Sequence, residues 1–196
     1  MIPHNYAGLF QAMGGDGQVR SKLDKFFQKL SGWGVPTFTV TNEPDFCAPY
    51  AYVWTSRPWK TPEVIDRVRR ETFTVKPDGL PGNDDLGATS GVYVWNALGL
   101  YPVIPGVGGL VLGTPMFPRA TVRLGDGRTL QILANGEGVY VQSVRLNGKA
   151  HESTWLPLEA LSAKENRLEF SLGSQPNPTW GTGSASLPPS FDSPVK

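Results

Sequence analysis

The order of the predicted secondary-structure elements indicates an α+β fold for this chain, with helices first and strands after them. Before residue 103 apolar side chains recur every three or four positions, the period of a helix. After Pro105-Gly106 apolar and polar residues alternate, which is the period of a strand. Glycine and proline number 23 and 18 among 196 residues, and such a proportion favours turns. We therefore divide the chain into helices (1–105), a β domain (106–175) and a Pro/Ser/Gly-rich tail or linker (176–196).

Four segments of the first part have the apolar stripe or the end residues of a helix. They are Val19–Leu30, Phe46–Trp54, a helix opened by Thr61-Pro62, and Leu86–Leu98. Gly32, Gly34 and Pro36 are placed to end the first, and Gly99 to end the last in a left-handed conformation. The third helix has Val64, Ile65 and Val68 on its apolar face, so its arginines (Arg67, Arg69 and Arg70) are expected in solvent.

The second part contains five predicted strands and two hairpin signals. The strands are Leu110–Leu112, Ala120–Leu124, Leu130–Leu133, Val139–Leu146 and Leu168–Leu172. Asp126-Gly127 and Asn147-Gly148 are dipeptides typical of tight hairpin turns. A small antiparallel sheet is therefore expected.

Composition excludes several classes of function. The formal net charge is +1, too small to draw the chain to nucleic acid or to an anionic membrane. No apolar run approaches the roughly 20 residues that a membrane helix needs. The first residues lack the basic region and apolar stretch of a secretion signal. Cys47 is the only cysteine, so an intrachain disulfide is excluded.

Two aspartates, Asp84 and Asp85, stand in front of the fourth predicted helix, after the tight turn Asp78–Gly82. Aspartate is a common helix cap, and capping alone would explain the pair. The positive end of the helix dipole also favours ionised carboxylates, which suits a base or a metal ligand. The spacing leaves both interpretations open.

A second polar motif, Asn42-Glu43, precedes the aromatic segment Phe46–Trp54. Asn and acidic residues favour helix starts, but they also supply the oxygen ligands that calcium prefers. His4 is a third candidate, although a lone histidine is more often structural than functional.

Several separated segments, in order, resemble the C-terminal signature of glycoside hydrolase family 92, the calcium-dependent inverting α-mannosidases. The central match is Asp78–Gly87 (DGLPGNDDLG), and it is followed by YVW at 93–95 and ALGLYPV at 97–103. Asn42-Glu43-Pro44 matches upstream and Leu112–Phe117 (LGTPMF) downstream. The similarity runs from about residue 2 to residue 180.

The resemblance implies that the chain is the C-terminal third of an (α/α)6 catalytic barrel followed by a small antiparallel β-sandwich-like domain. Its partners would be the remainder of the barrel and an N-terminal β-sandwich domain, without which apolar helix faces stay exposed. The tryptophan-rich motif with the general-acid glutamate would precede residue 2, so the fragment alone is expected to be inactive. Asn5 stands where many relatives have aspartate.

The resemblance also implies roles for individual residues. Asp85 would be the catalytic base, with Asp84 as the alternative, and Asn83 would orient the pair and bind substrate. Glu43 would bind calcium with Asn42 beside it. Asn42 and His4 would contact the substrate. That substrate is expected to be a mannose-containing oligosaccharide or N-glycan, and the linkage expected is α-1,2. The full-length enzyme is expected to act outside the cell or in the periplasm.

Two alternatives remain open on the sequence. The chain could be a non-catalytic carbohydrate-binding module in which Trp54, Trp59 and Trp95 offer stacking platforms. It could also belong to another barrel glycosidase or a sugar phosphorylase, although no phosphate-binding motif is present. Departures from the family pattern leave the linkage preference open, and they lie at Leu86, Ala88, Thr89 and Asp45-Phe46-Cys47.

Overall fold

A computed structural model describes residues 2–30 and 37–191, and it has the helix-then-strand order that the sequence predicts. Four α-helices are α1 (Tyr6–Ala12), α2 (Asp16–Phe26), α3 (Lys60–Thr72) and α4 (Ala88–Leu98). Short 3-10 helices lie at Glu43–Asp45, Ala48–Trp54, Leu158–Ala160 and Ser184–Ser186. The residues expected to end the first predicted helix, Gly32, Gly34 and Pro36, lie outside the described residues. Within the described ranges, no helix combines the length and apolar character that a membrane crossing requires.

Helix α4 begins two residues later than predicted, because the backbone before it is left-handed. Asp85, Leu86 and Gly87 have φ angles of 49°, 60° and 90°, which a right-handed helix does not admit. At the other end Gly99 has φ 72°, and its cap conformation confirms the prediction. A side chain there would lie 2.5 Å from the Pro115 nitrogen, so only glycine fits.

The aromatic segment forms a 3-10 helix, Ala48–Trp54, where an α-helix was expected. All seven of its residues are buried, so it is the centre of the helical half. Its polar groups are satisfied from neighbouring elements: the Tyr50 hydroxyl donates to Asn96 and the Tyr52 hydroxyl donates to Asp24. Burial on every side explains why the segment lacks a polar face.

Helix α3 begins at Lys60, so the expectation that Thr61 caps it is wrong. The Thr61 hydroxyl instead donates to the Pro49 carbonyl of the 3-10 helix at 2.9 Å. Arg69 is also not in solvent. Its side chain is 8% exposed, donates to the Asn96 carbonyl at 3.1 Å and pairs with Asp66 at 3.3 Å. A buried guanidinium that bonds the C-terminal part of α4 ties α3 to that helix.

In the described ranges eight strands form two sheets. They are β1 (Leu100–Tyr101), β2 (Gly109–Leu112), β3 (Arg119–Arg123), β4 (Thr129–Asn135), β5 (Tyr140–Leu146), β6 (Lys149–Ala150), β7 (Trp155–Pro157) and β8 (Glu165–Gly173). The three-stranded sheet has the order β1-β2-β7, and the five-stranded sheet has the order β3-β4-β8-β5-β6. All five predicted strands are present. The sequence analysis missed β1, β6 and β7, because strands of only two or three residues are too short to show an alternation of apolar and polar residues.

The pairing is antiparallel except between β4 and β8. These strands run parallel, with Ile132 opposite Leu168, so the expectation of a purely antiparallel sheet is wrong at this pair. Both hairpin signals are confirmed. Asn147 and Gly148 have φ angles of 50° and 80° and connect β5 to β6, as the Asn-Gly hairpin turn requires.

Two apolar clusters meet at the junction of helices and strands. One contains the helical residues together with Val103, Ile104 and Val111, and the other contains apolar residues of both sheets. Trp95 of α4 packs against both clusters. Strand β2 also joins them, because Val111 lies in the first cluster and its neighbours Leu110 and Leu112 lie in the second.

The segment after β8 is not a free linker over residues 174–191. The Ser186 carbonyl accepts from the Thr154 backbone, and the Pro188 carbonyl accepts from the Trp54 indole. The Ser190 hydroxyl accepts from the Ala7 backbone, and the Phe191 backbone donates to the His4 carbonyl. We call residues 184–191 the C-terminal strap, since it bonds the β half to the N-terminal segment.

Deleting residues 184–196 should destabilise the protein. Each lost hydrogen bond contributes about 1 kcal/mol, and a change of that size shifts the melting temperature of a chain this long by about 2–4 °C. We expect a thermal midpoint lower by about 5 °C or more, with faster amide exchange in α1. The matched control ends at Phe191 and keeps the strap. Equal midpoints for the two truncations would contradict the role of the strap.

Stability should depend on pH through His151. Burial lowers the pKa of its imidazole below the ordinary value of 6.5, and the ring bonds the Trp155 carbonyl at 3.0 Å. Below pH 6.5 the unfolded chain takes up this proton before the folded chain does. The contribution of His151 to the free energy of unfolding is therefore fully present above pH 6.5, and it is lost as the pH falls towards the lower folded-state pKa of the imidazole.

The measurement is the urea midpoint at pH 7.5 and pH 5.5 in the wild type and in His151→Gln. The wild type should lose more stability between the two values, because the variant has no imidazole to titrate. An identical loss in both proteins would show that His151 is not responsible.

Candidate functional site

The loop between α3 and α4 carries the predicted aspartates and is folded back on the end of α3. The Thr74 amide donates to the Gly79 carbonyl, and the Gly79 amide donates to the Lys76 carbonyl, both at 2.9 Å. A Cβ on Gly79 would collide with the Thr74 carbonyl oxygen. The glycine is therefore needed for this close approach, and it sets the start of the loop.

Asp84 satisfies an amide in the first turn of α4, whose N-cap position is occupied by Gly87. Its Oδ1 accepts from the Ser90 amide at 2.8 Å, and its carbonyl accepts from the Thr89 amide at 3.1 Å. The Thr89 hydroxyl donates to the Asn83 carbonyl at 3.0 Å, which holds the preceding residue as well. The capping interpretation is therefore confirmed for Asp84, whose carboxylate is partly occupied by the helix.

Asp85 is held differently. Its carbonyl accepts from the Ala88 amide at 3.2 Å, but its side chain is exposed. Among residues 2–30 and 37–191 no hydrogen bond or ion pair engages its carboxylate. The left-handed backbone turns this group away from the helix while Asp84 stays bonded to it. The structure thus separates two neighbouring carboxylates into a bonded one and an available one.

Asn42 and Glu43 lie in a compact turn that Asp45 organises. The Asp45 carboxylate accepts from the Thr39 amide at 3.2 Å and from the Asn42 side chain, while the Asp45 amide donates to the Asn42 carbonyl at 2.8 Å. Burial raises the pKa of the Asp45 carboxyl, and these hydrogen bonds act against that rise. Glu43 begins a 3-10 helix and its side chain is exposed.

The sequence did not predict that Asp45 holds the Asn42-Glu43 turn together. Only its position two residues after Glu43, in a turn-forming stretch, could have suggested it.

The two motifs are neighbours in space. Gly82, one residue before Asn83, lies against Thr41, one residue before Asn42. A Cβ on Gly82 would be 2.6 Å from the Thr41 Cγ2, and Gly82 has φ 64°. Because only glycine satisfies both conditions, this contact brings the Asn42-Glu43 turn beside the aspartate loop.

His4 is exposed and belongs to the N-terminal segment. Its carbonyl accepts from the Phe191 amide at 2.9 Å, and the following Asn5 caps α1 through a bond from the Gly8 amide to Oδ1 at 2.9 Å. In the described part of the chain, no hydrogen bond or ion pair connects His4 to either motif. Its role in substrate binding stays a prediction.

The described residues do not build a complete calcium site. No group of three or more His, Cys, Asp or Glu residues within ranges 2–30 and 37–191 could hold a metal ion. Calcium takes six to eight oxygen ligands, whereas this region offers the free Glu43 carboxylate and an Asn42 side chain already bonded to Asp45. The donors are of the right chemical kind, but too few.

Of the tryptophans considered as sugar platforms, Trp54 is a core residue, and Trp95 is partly buried against both apolar clusters. Trp54 is 8% exposed and stacks on Tyr6 with ring centroids 4.4 Å apart. Trp95 packs between the two apolar clusters, and Trp59 is half-buried in front of α3. The structure therefore weakens the carbohydrate-binding module as an alternative.

Comparison with known proteins gives one family. The family model described as "Glycosyl hydrolase family 92 catalytic domain" matches residues 1–174. A protein of Arthroderma benhamiae, described as an uncharacterized secreted glycosidase, is 27% identical over the whole chain. The chain spans 25% of that protein's length.

Solved structures agree with this assignment. A family GH92 α-mannosidase of Bacteroides thetaiotaomicron, in complex with mannoimidazole, matches 96% of this chain with 26% identity and a TM-score of 0.88. A family GH92 inverting mannosidase of B. thetaiotaomicron VPI-5482 matches 97% with 28% identity and a TM-score of 0.86. The chain covers 26% and 29% of these proteins, so it corresponds to about a quarter of each.

Replacing Leu86 with glycine should stabilise the protein. Leu86 has φ 60° and a fully exposed side chain, so Leu86→Gly relieves strain without loss of burial. Left-handed backbone costs a bulky residue about 1–2 kcal/mol, and the extra chain entropy of glycine offsets part of this gain. We expect the free energy of unfolding in urea to rise by about 0.5–1 kcal/mol. Val75→Gly is the matched control, since Val75 is equally exposed without a positive φ, and it should be neutral or destabilising.

Proposed function

Because the chain belongs to glycosyl hydrolase family 92, we propose that it is part of an exo-acting α-mannosidase. The substrate would be a mannan or an N-glycan, and the bond proposed to be cleaved is an α-1,2-mannosidic bond. One observation carries the proposal: the aspartate loop and the Asn42-Glu43 turn are adjacent, and within the described residues the carboxylates of Asp85 and Glu43 are exposed and unengaged. The match to this family also argues against the alternative that the chain belongs to a sugar phosphorylase.

Asp85 is proposed as the general base. An inverting glycosidase needs a carboxylate that removes a proton from water as the water oxygen attacks the anomeric carbon. An exposed carboxylate without a protein partner can accept that proton, whereas the Asp84 Oδ1 is bonded to the Ser90 amide. Asp84 is therefore assigned as a positioning residue that holds the loop on α4.

The general acid must come from outside the described residues. When the glycosidic bond breaks, its oxygen leaves with a proton, and a carboxylic acid on the other side of the ring supplies it. On the family resemblance, we propose that a part of the enzyme other than residues 2–30 and 37–191 contributes this acid. We therefore propose that the chain alone has negligible mannosidase activity, and that the rest of the barrel completes the site.

Calcium binding is proposed through Glu43, with Asn42 beside it. The ion, when bound, would hold neighbouring hydroxyls of the mannose ring through direct coordination. Because the described residues supply too few ligands, we propose that the rest of the enzyme, substrate and water complete the coordination shell. Asn83 and His4 are proposed to contact the sugar, and their roles rest on the family resemblance.

The enzyme is proposed to act outside the cell or in the periplasm. The support is the Arthroderma benhamiae relative, which is described as secreted. Mannan and N-glycans on secreted material are substrates that such an enzyme meets there.

The experiment replaces the matched quarter of the B. thetaiotaomicron α-mannosidase with this chain and measures hydrolysis of α-1,2-mannobiose. Asp85→Ala should lower kcat by about 100-fold to 10,000-fold, the range for removal of a general base. Asp84→Ala should mainly lower the thermal midpoint, because loss of a helix cap costs about 1 kcal/mol. Asp126→Asn in the β3–β4 hairpin is the control and should retain turnover.

Proton NMR of the first product identifies the mechanism, since inversion at an α-mannoside releases β-mannose. Full turnover of Asp85→Ala would remove Asp85 from the role of base. First release of α-mannose would contradict the inverting mechanism.

A further inference from the structure

Leu86 follows the proposed base, Asp85, and has two properties that the packing of this chain does not explain. Its φ angle is 60°, in the left-handed region, where the backbone crowds a branched side chain. Its side chain is fully exposed (109%), so it gains no stabilisation from burial against the rest of the chain. The fold alone therefore gives no reason for a leucine at this position.

The other residues with the same backbone conformation are accounted for. Among the described residues, Asp85, Leu86 and Asn147 are the positions other than glycine that have a positive φ. Asn147 forms the hairpin turn between β5 and β6, and both asparagine and aspartate tolerate the left-handed region. Neither reason applies to a leucine. Strained backbone of this kind is concentrated at functional sites, so the conformation of Leu86 indicates a role in the site.

The backbone around Leu86 is fixed by hydrogen bonds to the first turn of α4. The Asp84 carbonyl accepts from the Thr89 amide at 3.1 Å. The Asp85 carbonyl accepts from the Ala88 amide at 3.2 Å. The exposed leucine is therefore carried by a preformed turn, which holds its side chain in one place without a cost of ordering on binding.

Asp85 and Leu86 present complementary chemistry for a sugar. Their Cα atoms are about 3.8 Å apart, the distance across a trans peptide. The surface next to them is open, since a Cβ on Gly87 would meet no atom within 4 Å. A pyranose ring has hydroxyl groups at its edge and a face of C–H groups. An exposed carboxylate beside an exposed aliphatic side chain matches both parts of such a ring.

We propose that Leu86 is a specificity-determining residue that packs against the apolar C–H face of the mannose ring on which Asp85 acts. A sugar that presents a hydroxyl to this side chain would bind less well, because that hydroxyl would lose its water without gaining a hydrogen bond. The inference rests on the proposed function, in that it assumes a mannose ring beside Asp85. It adds a contact for the ring itself, which Asp85 reaches through a water molecule.

One substitution should therefore have opposite effects on stability and on sugar binding. Leu86→Gly is expected to stabilise the protein by removing strain, and it also removes the apolar contact with the ring. Gain of stability with loss of affinity is the pattern expected where a strained residue is retained for function. A residue with a structural role alone would not separate the two quantities.

The test measures the dissociation constant of mannoimidazole by calorimetry in the chimera with the B. thetaiotaomicron α-mannosidase, whose solved structure contains this compound. Leu86→Gly should weaken binding by about tenfold or more, as expected for the loss of an apolar contact in a binding pocket. Leu86→Asn should weaken it to a similar extent, which shows that the flexibility of glycine is not the cause. Leu86→Met keeps an apolar contact of similar volume and should bind within about threefold of the wild type.

Val75→Gly is the matched control. Val75 lies in the same loop between α3 and α4, is 107% exposed and has no positive φ. Removal of this aliphatic side chain should leave the affinity for mannoimidazole unchanged.

Equal affinity of the wild type and Leu86→Gly would overturn the proposal. A Leu86→Gly chimera with a lower thermal midpoint and unchanged affinity would also overturn it, since Leu86 would then pack against another part of the enzyme. If the chimera does not fold, the chain is co-expressed with the remaining part of the B. thetaiotaomicron enzyme. The same comparison is made there, and absence of mannoimidazole binding by that folded assembly is equally decisive.

Affinity and turnover distinguish this inference from the proposed function. A chimera that hydrolyses α-1,2-mannobiose, but binds mannoimidazole equally well with leucine or glycine at position 86, contradicts the role of Leu86 alone. A chimera whose affinity depends on Leu86, but which hydrolyses no mannoside, contradicts the hydrolytic function alone.

Discussion

A left-handed turn of three residues between the aspartate loop and α4 controls the candidate site. Without it, Asp84 and Asp85 would continue into the helix and point to different sides of it. With Asp85, Leu86 and Gly87 at positive φ, the chain doubles back, so that Asp84 reaches the Ser90 amide while Asp85 faces outwards. Strain in the backbone is compensated by the cap, which is how a bulky residue such as Leu86 is retained in this conformation.

The same loop depends on the packing around it. Helix α4 is held to α3 by the buried Arg69, and to the β half by Trp95. The loop itself is fixed at Gly79 by the end of α3 and at Gly82 by Thr41. The two motifs therefore stay side by side because each is anchored to a packed element, although both lie on the surface.

Within the described residues the chain supplies only part of an active centre. It presents the proposed base, Asp85, and one carboxylate proposed for calcium, Glu43, and the general acid and the remaining ligands are proposed to come from the rest of the enzyme. The chain spans 25% and 26% of the length of two of its relatives.

The sequence by itself determined the features that depend on neighbouring residues. These include the order of helices and strands, the Gly99 cap and the Asn147-Gly148 hairpin, because local backbone preference decides each of them. In the site, it identified both motifs and the capping role open to Asp84. Only the tertiary structure decided which aspartate is free, that Gly82 brings the motifs together, and that the strap bonds the N-terminal segment. Each of these depends on partners far away in the chain, which local periodicity does not encode.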